Sequence, residues 1–438
     1  MFPSPHDALP LSPRPSLAQY RKLAKDIVKA CRSSDADALG TVVRRWLDSL
    51  ARSLAEGRTA PTRERLDRAV EIGAYAARRL SAGVRTGALA DAQFVIARTH
   101  GFDSWPKLAA HIDAVTHAGT QTAGFEASAD AIVAGDEATL RRLLRASPEL
   151  ARARSTRAHR ATLLHYVSAN GVEGYRQRTP PNAVRIAEIL IDARAEVDAE
   201  ADLYGGGCTT LGLVATSVHP RLAGVQEALM QSLLDHGADV NHRGMAGHGQ
   251  PVVLACLSNG HGEAAEYLAE RGARLDLAGA AGVGRLDAVA AWFDADGRPP
   301  AGGTKADVDL AALYACGSGR HEVAAFLLDR GADPAAHRAD GQTCLHLAVI
   351  GAHLETVKLL LARGAPLEAL NQYGGTVLGQ ALWSAAHGGE GRTYLPIIET
   401  LIAAGAKVPA RHPPVNDDVD AVLARHGATL SRHRVSDE

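Results

Sequence analysis

The dipeptide Gly-Ala recurs along the chain, and this repetition limits the possible folds more than any other feature. Each Gly-Ala pair belongs to the same predicted unit. The unit consists of a short helix (helix A), a Gly-containing turn, a Leu-rich helix (helix B), the Gly-Ala pair and a polar hairpin. Gly331 and Gly364 are 33 residues apart. A unit of this size cannot bury its own apolar face, so the spacing predicts a stack of neighbouring units. The pairs begin at Gly237, Gly272, Gly331, Gly364, Gly405 and Gly427.

The best unit contains the motif Thr343-Cys344-Leu345-His346-x-Ala348. It resembles the ankyrin consensus Thr-Pro-Leu-His-x-Ala, with Cys344 in place of Pro. Thr162-Leu163-Leu164-His165 is a second match, and Gly260-His261 fits the turn between helices. The resemblance, to bacterial ankyrin-repeat proteins, covers residues 124–438. It implies an all-α ankyrin solenoid, in which His165 and His346 hold the start of helix A and are structural.

About eight repeats fit residues 124–438, three of them with insertions. In the best repeat, Gly364 lies 21 residues after Thr343. Where the equivalent distance in another repeat is longer, the additional residues are assigned to an insertion between helix A and helix B. The three insertions are predicted at Val172–Asn182, near Val218–Gly224 and near Ala386–Thr393. A closing helix near Asp418–His426 is expected to cap the last repeat. The repeats begin near Phe125, Ala161, Cys208, Gln250, Leu277, Asp309, Gln342 and Gly375.

Residues 1–123 are predicted to form a separate, basic helical region that caps the first repeat. They contain 18 Lys and Arg against 12 Asp and Glu, a net charge of +6, although the whole chain has a net charge of -2. The turn Gly101-Phe102-Asp103 also suits a helix-turn-helix DNA reader, but the second helix offers only Lys107 and His111 for base contacts. Apolar residues recur at helical spacing in five segments: Leu17–Cys31, Asp37–Ala55, Arg63–Leu80, Leu89–Thr99 and Trp105–Val115.

Composition and motifs exclude several classes of protein. The five cysteines are isolated, which argues against a disulfide framework or zinc site and favours a reducing compartment. The first residues lack the apolar core of a signal peptide, and no stretch reaches about 18 apolar residues, so a cytoplasmic protein without a membrane segment is expected. The run of glycines at 205–207 lacks the Lys of a phosphate loop, and His242, His248 and Cys256 match no zinc pattern. No catalytic, cofactor-binding or metal-binding residue is predicted.

The sequence therefore predicts a non-enzymatic scaffold or adaptor that binds another protein, with a monomer favoured. Hairpin tips and the concave face are expected to carry the contacts, and the insertions add loops that stacking does not require. His219, Arg221, His387, Arg392 and Tyr394 are expected to contribute from the second and third insertions. Two alternatives stay open: a regulator that contacts nucleic acid through the basic helices, and an enzyme or small-ligand receptor with a pocket under the loops. The predicted contact residues are Tyr175, Arg176, Arg178, Tyr204, His242, Arg243, His337, Arg338 and Tyr373, and the tips also carry Asn371.

Overall fold

The computed structural model describes residues 7–54, 62–82, 88–117, 119–243, 250–388 and 393–431. These residues are mostly helical, as predicted. The chain forms two compact units, Met1–Val252 and Val253–Glu438. The first unit contains the N-terminal helices together with the first repeats. The division at residue 123 into a helical region and a repeat array stays a prediction.

The first unit begins with five helices at the predicted positions. Their apolar residues fall on one face, and in the second helix Val43, Trp46, Leu47 and Leu50 are buried at helical spacing. Phe102, in the turn before the fifth helix, is fully buried in a core shared with the first and fourth helices. The helices are α1 (Leu17–Cys31), α2 (Ala38–Leu54), α3 (Thr62–Ala82), α4 (Ala88–Thr99) and α5 (Trp105–Thr116).

The same unit continues with the first three repeats. Helix A of the second repeat is a 3-10 helix, Leu163–Ser168, which ends at Ala169 with a φ of 49°. The second insertion contains a short helix with Pro220 buried, although the sequence predicted only a lengthened loop. The α-helices here are α6 (Gln121–Ala134), α7 (Glu137–Ala146), α8 (Ala183–Asp192), α9 (Thr210–Ala215), α10 (Val218–Leu222) and α11 (Gln226–Asp235).

The second unit contains the later repeats and a short parallel pair of strands. Its Leu, Val, Ile and Ala side chains form one hydrophobic cluster from Leu277 to Ala428. The predicted repeat at Leu277–Gly297 is present as two short helices. The elements are α12 (Val252–Ser258), α13 (Gly262–Glu270), α14 (Leu277–Gly282), α15 (Leu286–Ala291), α16 (Lys305–Gly317), α17 (His321–Asp329), α18 (Cys344–Ile350), α19 (Leu354–Ala362), α20 (Val377–His387), α21 (Leu395–Ala403), β1 (Arg411–His412), α22 (Asp417–Arg425) and β2 (Thr429–Leu430).

The recurring Gly-Ala pair is the stop signal of helix B. Gly364 has a φ of 75°, in the left-handed region that favours glycine. The next amide, of Ala365, donates to the carbonyl oxygen of Leu360 at 3.0 Å, which closes the last turn of α19. The second repeat has the same closure without glycine: Arg194 has a φ of 71°, and the amide of Ala195 donates to Leu190. In the units that share this closure, the period therefore records one backbone requirement.

Candidate partner-binding surfaces

The histidines of the two consensus motifs bind the backbone of their own repeat and of the next one. The amide of Thr162 donates to Nδ1 of His165 at 3.1 Å. Nε2 therefore carries the proton and donates to the carbonyl oxygen of Cys208, 3.2 Å away in the third repeat. Burial lowers the pKa of His165 to about 4, so the ring is neutral at physiological pH. The expected structural role of this histidine is confirmed.

His346 repeats this arrangement in the second unit. Its Nδ1 accepts from the amide of Thr343 at 3.3 Å, and its Nε2 lies 3.3 Å from the carbonyl oxygen of Gly375 at the start of the next repeat. Burial also lowers the pKa of His346. Both histidines are committed to joining neighbouring repeats, which leaves the recognition of a ligand to other residues.

The first insertion is held by a cluster of charges, all but Asp130 largely buried, which we call the ion cluster: Glu126, Asp130, Arg157, Glu173 and Arg176. Arg176 is only 4% exposed. Its Nη1 donates to Oε2 of Glu126 at 2.9 Å, and its Nε donates to Oδ1 of Asp130 at 2.8 Å. Both carboxylates lie on α6, about 50 residues earlier in the chain. These ion pairs hold the first insertion against α6 of the first repeat.

Arg157 occupies the centre of the ion cluster. Its Nη1 lies 2.5 Å from Oε1 of Glu126, and its Nε lies 2.8 Å from Oε1 of Glu173. Nη2 donates to the hydroxyl of Tyr175 at 3.2 Å. Arg157 also lies over the ring of Phe102, and the amide of Ala158 donates to the carbonyl oxygen of Gly101. The cluster therefore joins the helical region, the first repeat and the insertion.

In the buried part of the ion cluster, two arginines face two glutamates, and the charges of the arginines keep both glutamates ionised. Burial raises the pKa of Glu126, but the charges of Arg157 and Arg176 outweigh it and lower the pKa to about 2. Burial opposes ionisation of Glu173 as well, yet Arg157 and the hydrogen bond from His159 hold its pKa well below its usual range. Two arginines against two buried glutamates are the arrangement that makes burial of charge tolerable.

The structure corrects the expected role of Arg176. The sequence placed it in a loop that stacking does not require, with its side chain available to a partner. Its guanidinium is instead buried and fully engaged by Glu126 and Asp130. Tyr175 is partly exposed with its hydroxyl bound to Arg157, and Arg178 is exposed. The outward part of the insertion is therefore Tyr175 and Arg178.

In the first unit, the hairpin tip after α8 presents Tyr204. Its ring is 50% exposed, and its hydroxyl donates to Oδ1 of Asn170 at 2.7 Å. The three glycines that follow, at 205–207, all have a positive φ, between 76° and 98°, which agrees with a tight turn. On the next tip, Arg243 is exposed and His242 Nε2 lies 3.7 Å from Glu200 Oε1. These side chains line the exposed ends of successive hairpins.

In the second unit, the tips carry His337, Arg338 and Tyr373. His337 and Arg338 are exposed, and Tyr373 is 81% exposed. Asn371, which the sequence placed among the contact residues, is buried. Its Oδ1 accepts from the amides of Tyr373 and Gly375 at 3.0 and 2.9 Å. Asn371 shapes the turn, and Tyr373 is the side chain that this turn exposes.

The third insertion shows one expected contact residue to be structural. Tyr394 is buried, and its hydroxyl donates to the carbonyl oxygen of Ile350 at 3.1 Å. It therefore ties α21 to the preceding repeat. His387 is exposed, whereas Arg392 lies outside the described residues. In the second insertion, Arg221 is exposed and His219 is half-buried.

Sequence reasoning missed Trp383. It lies on α20, is 60% exposed and stacks on His387 with the ring centroids 4.8 Å apart. The sequence did contain a signal. Trp383 lies one repeat period, 33 residues, after Ile350, its equivalent in the preceding repeat. The buried face of α20 is already formed by Val377, Leu378, Ala381 and Leu382. An additional tryptophan outside that face is not needed by the fold. Leu370, before the tip, is also exposed.

Comparison with known proteins identifies the repeats of the second unit. Residues 309–412 match the family model described as ankyrin repeats (3 copies). Over these residues the chain is similar to ankyrin repeats. The match begins at Asp309, where the sequence predicted the sixth repeat, and it spans the three units that begin near Asp309, Gln342 and Gly375. The predicted fold class, all-α with ankyrin repeats, is confirmed.

Solved ankyrin structures resemble the chain at low identity. The human ASB11 ankyrin repeat domain matches with a TM-score of 0.34 and 19% identity, over 66% of this chain and 98% of that one. The ankyrin repeat domain of Bcl-3, a member of the IkappaB protein family, matches with a TM-score of 0.30 and 20% identity, over 58% and 92%. Comparison with curated proteins finds no match. Among the described residues, no helix has the length and apolar character needed to cross a membrane.

Proposed function

We propose that this protein is a non-enzymatic scaffold that binds a partner protein through its hairpin tips and the exposed faces of its A helices. Ankyrin repeats generally serve as interaction modules, and solenoids of this kind offer extended binding surfaces. The observation that carries the proposal is the exposure of two large aromatic side chains, Tyr373 on the hairpin tip before the last repeat and Trp383 on the helix that follows it. Exposed aromatic residues are the side chains that most often anchor a partner.

The proposed surface keeps most of the predicted contact residues and adds one. Arg176 leaves the set because it is buried, and Trp383 joins it. The bacterial origin and the monomeric state stay part of the proposal, as does a cytoplasmic location, which the five free cysteines support. The proposed contacts are Tyr175, Arg178, Tyr204, His242, Arg243, His337, Arg338, Tyr373 and Trp383.

The test is capture of a partner by the full chain and by a double variant, Tyr373→Ala with Trp383→Ala. A protein captured from the native host is identified by mass spectrometry, produced separately and titrated against each variant. The double variant should bind at least tenfold more weakly, which corresponds to about 1.4 kcal/mol. Because both side chains are exposed, the free energy of unfolding should change by less than about 0.5 kcal/mol.

Leu430→Ala provides the matched control, since Leu430 is also a large exposed apolar residue of the second unit. It should bind the partner as the wild type does. Equal affinity of the double variant and the control for the partner would contradict the proposed surface. A loss of affinity in the double variant that is accompanied by unfolding of the protein would contradict it as well.

A further inference from the structure

A groove runs along α1 and α2 in the first unit. Its volume is about 1750 Å³, and its walls come from residues 12–14, from the two helices and from the two residues that follow α1. None of its lining residues belongs to the repeats or to the ion cluster. It is therefore a feature separate from the proposed ankyrin surface.

The floor of the groove is apolar. It includes Leu23, Val42 and Leu50, together with the largely buried rings of Tyr20 and Trp46. Both rings meet the buried ring of His100 at steep angles, with centroid distances of 5.2 and 5.7 Å. At one end, Leu54 is 43% exposed. Part of this apolar lining is thus left in contact with solvent.

The rim of the groove is strongly basic. Its lining contains six Lys and Arg but only one acidic residue, Asp26. Within the described ranges, none of the six forms an ion pair, although nearby arginines do: Arg68, for example, lies 2.9 Å from Asp7. Unbalanced like charges repel one another and are relieved by an anionic partner. The six residues are Arg14, Lys22, Lys25, Lys29, Arg32 and Arg45.

We propose that this groove binds an acidic amphipathic helix of a partner protein. The apolar face of that helix would cover the floor, and its carboxylates would meet the basic rim, which is the helix-in-groove mode of recognition. A helix of about 15 residues matches the length of α1, roughly 22 Å at 1.5 Å per residue.

The chemistry of the groove favours a peptide over a nucleic acid. Phosphates would use the rim and leave the apolar floor uncovered. Binding of single strands relies on exposed aromatic rings on which bases stack, whereas the rings of Tyr20 and Trp46 are largely buried and packed on His100. The proposed occupant satisfies both the charge of the rim and the apolar character of the floor.

The test uses the full chain and three fluorescent probes followed by anisotropy. The first probe is a peptide of about 16 residues with Leu at i, i+3, i+4 and i+7 and Glu at most other positions. The second has the same composition with the Leu positions scrambled, and the third is a single-stranded oligonucleotide of about 16 nucleotides. The amphipathic peptide should bind at least tenfold more tightly than either of the others.

Charge-reversed variants locate the binding site. Lys25→Glu with Lys29→Glu should weaken binding of the amphipathic peptide at least tenfold. Arg21→Glu with Arg52→Glu is the matched control, because these exposed arginines lie on the same two helices outside the groove. It should bind within about threefold of the wild type. Leu54→Asn should weaken binding several-fold by removing apolar contact without changing the charge.

Three outcomes would overturn the proposal. Equal binding of the scrambled peptide would show attraction by charge alone, and tighter binding of the oligonucleotide would make the groove a nucleic-acid site. Equal losses in the Lys25/Lys29 variant and its control would show that the groove has no special role. The Tyr373→Ala, Trp383→Ala variant should bind the peptide as the wild type does, so a failure here is distinct from a failure of the ankyrin surface.

Discussion

At Arg194, an L-amino acid occupies a backbone conformation that other repeats give to glycine. Its φ of 71° matches the 75° of Gly364, and its side chain is exposed. A residue with a Cβ loses roughly 1–2 kcal/mol in this region, whereas glycine adopts it readily but gains entropy in the unfolded chain. Arg194→Gly should therefore raise the free energy of unfolding by about 0.5–1 kcal/mol, as measured by urea denaturation.

Gly364→Ala is the reciprocal control in the second unit, where no atom outside the adjacent residues lies within 4 Å of the added Cβ. It should lower the free energy of unfolding by about 1 kcal/mol, because only the backbone conformation opposes it. A destabilising Arg194→Gly would show that the side chain contributes more than the conformation removes.

The ion cluster decides whether the first insertion is a free loop or part of the folded unit. Arg176→Met would leave Glu126 and Glu173 buried with Arg157 as their remaining arginine, since these three residues share the site. Removing one partner of a buried ion pair costs about 3–5 kcal/mol. We therefore expect the free energy of unfolding of the first unit to fall by that amount in a chemical denaturation experiment.

Arg178→Met is the matched control, because Arg178 lies two residues away and is exposed. Its effect should stay within about 0.5 kcal/mol. Adding Glu126→Gln to Arg176→Met should recover part of the loss, since it removes one unpaired charge. If both single variants had the same small effect, the cluster would not hold the insertion.

For the whole molecule, acid is expected to weaken the first unit before the glutamates protonate. Burial lowers the pKa values of His100, His111 and His165 to about 4, with the charge of Arg157 also contributing at His111. In the unfolded chain these pKa values are about 6.5. Between pH 6.5 and 4 the unfolded state binds more protons, so stability is present above pH 6.5 and falls as the pH drops.

Each of these histidines should contribute up to about 1.4 kcal/mol per pH unit within that window. Trp46 and Trp105 lie in the first unit, so their fluorescence in a Trp292→Phe, Trp383→Phe background reports its unfolding. Urea titrations at pH 7.5, 6 and 5 should show the decline, and His111→Gln should reduce its slope. A free energy of unfolding constant from pH 7.5 to 5 would contradict the assignment.

The features that repeat can be predicted from the amino-acid sequence alone. The helices of the N-terminal region and of the repeats, the stop at Gly364 and its equivalents, and the structural roles of His165 and His346 could be predicted, whereas α10 in the second insertion could not. Each repeated feature depends on contacts within one repeat or with the next, so the same requirement returns at a regular spacing and becomes visible as a period.

The roles of residues outside the repeating pattern depend on contacts between distant parts of the chain. The sequence predicts Arg176 to be an exposed loop residue, but in the folded chain it binds Glu126, 50 residues earlier. Tyr394 is structural because its hydroxyl donates to the carbonyl oxygen of Ile350, 44 residues away, whereas Trp383 on α20 is 60% exposed. Burial of an individual side chain depends on which distant groups surround it, and local spacing carries no record of them.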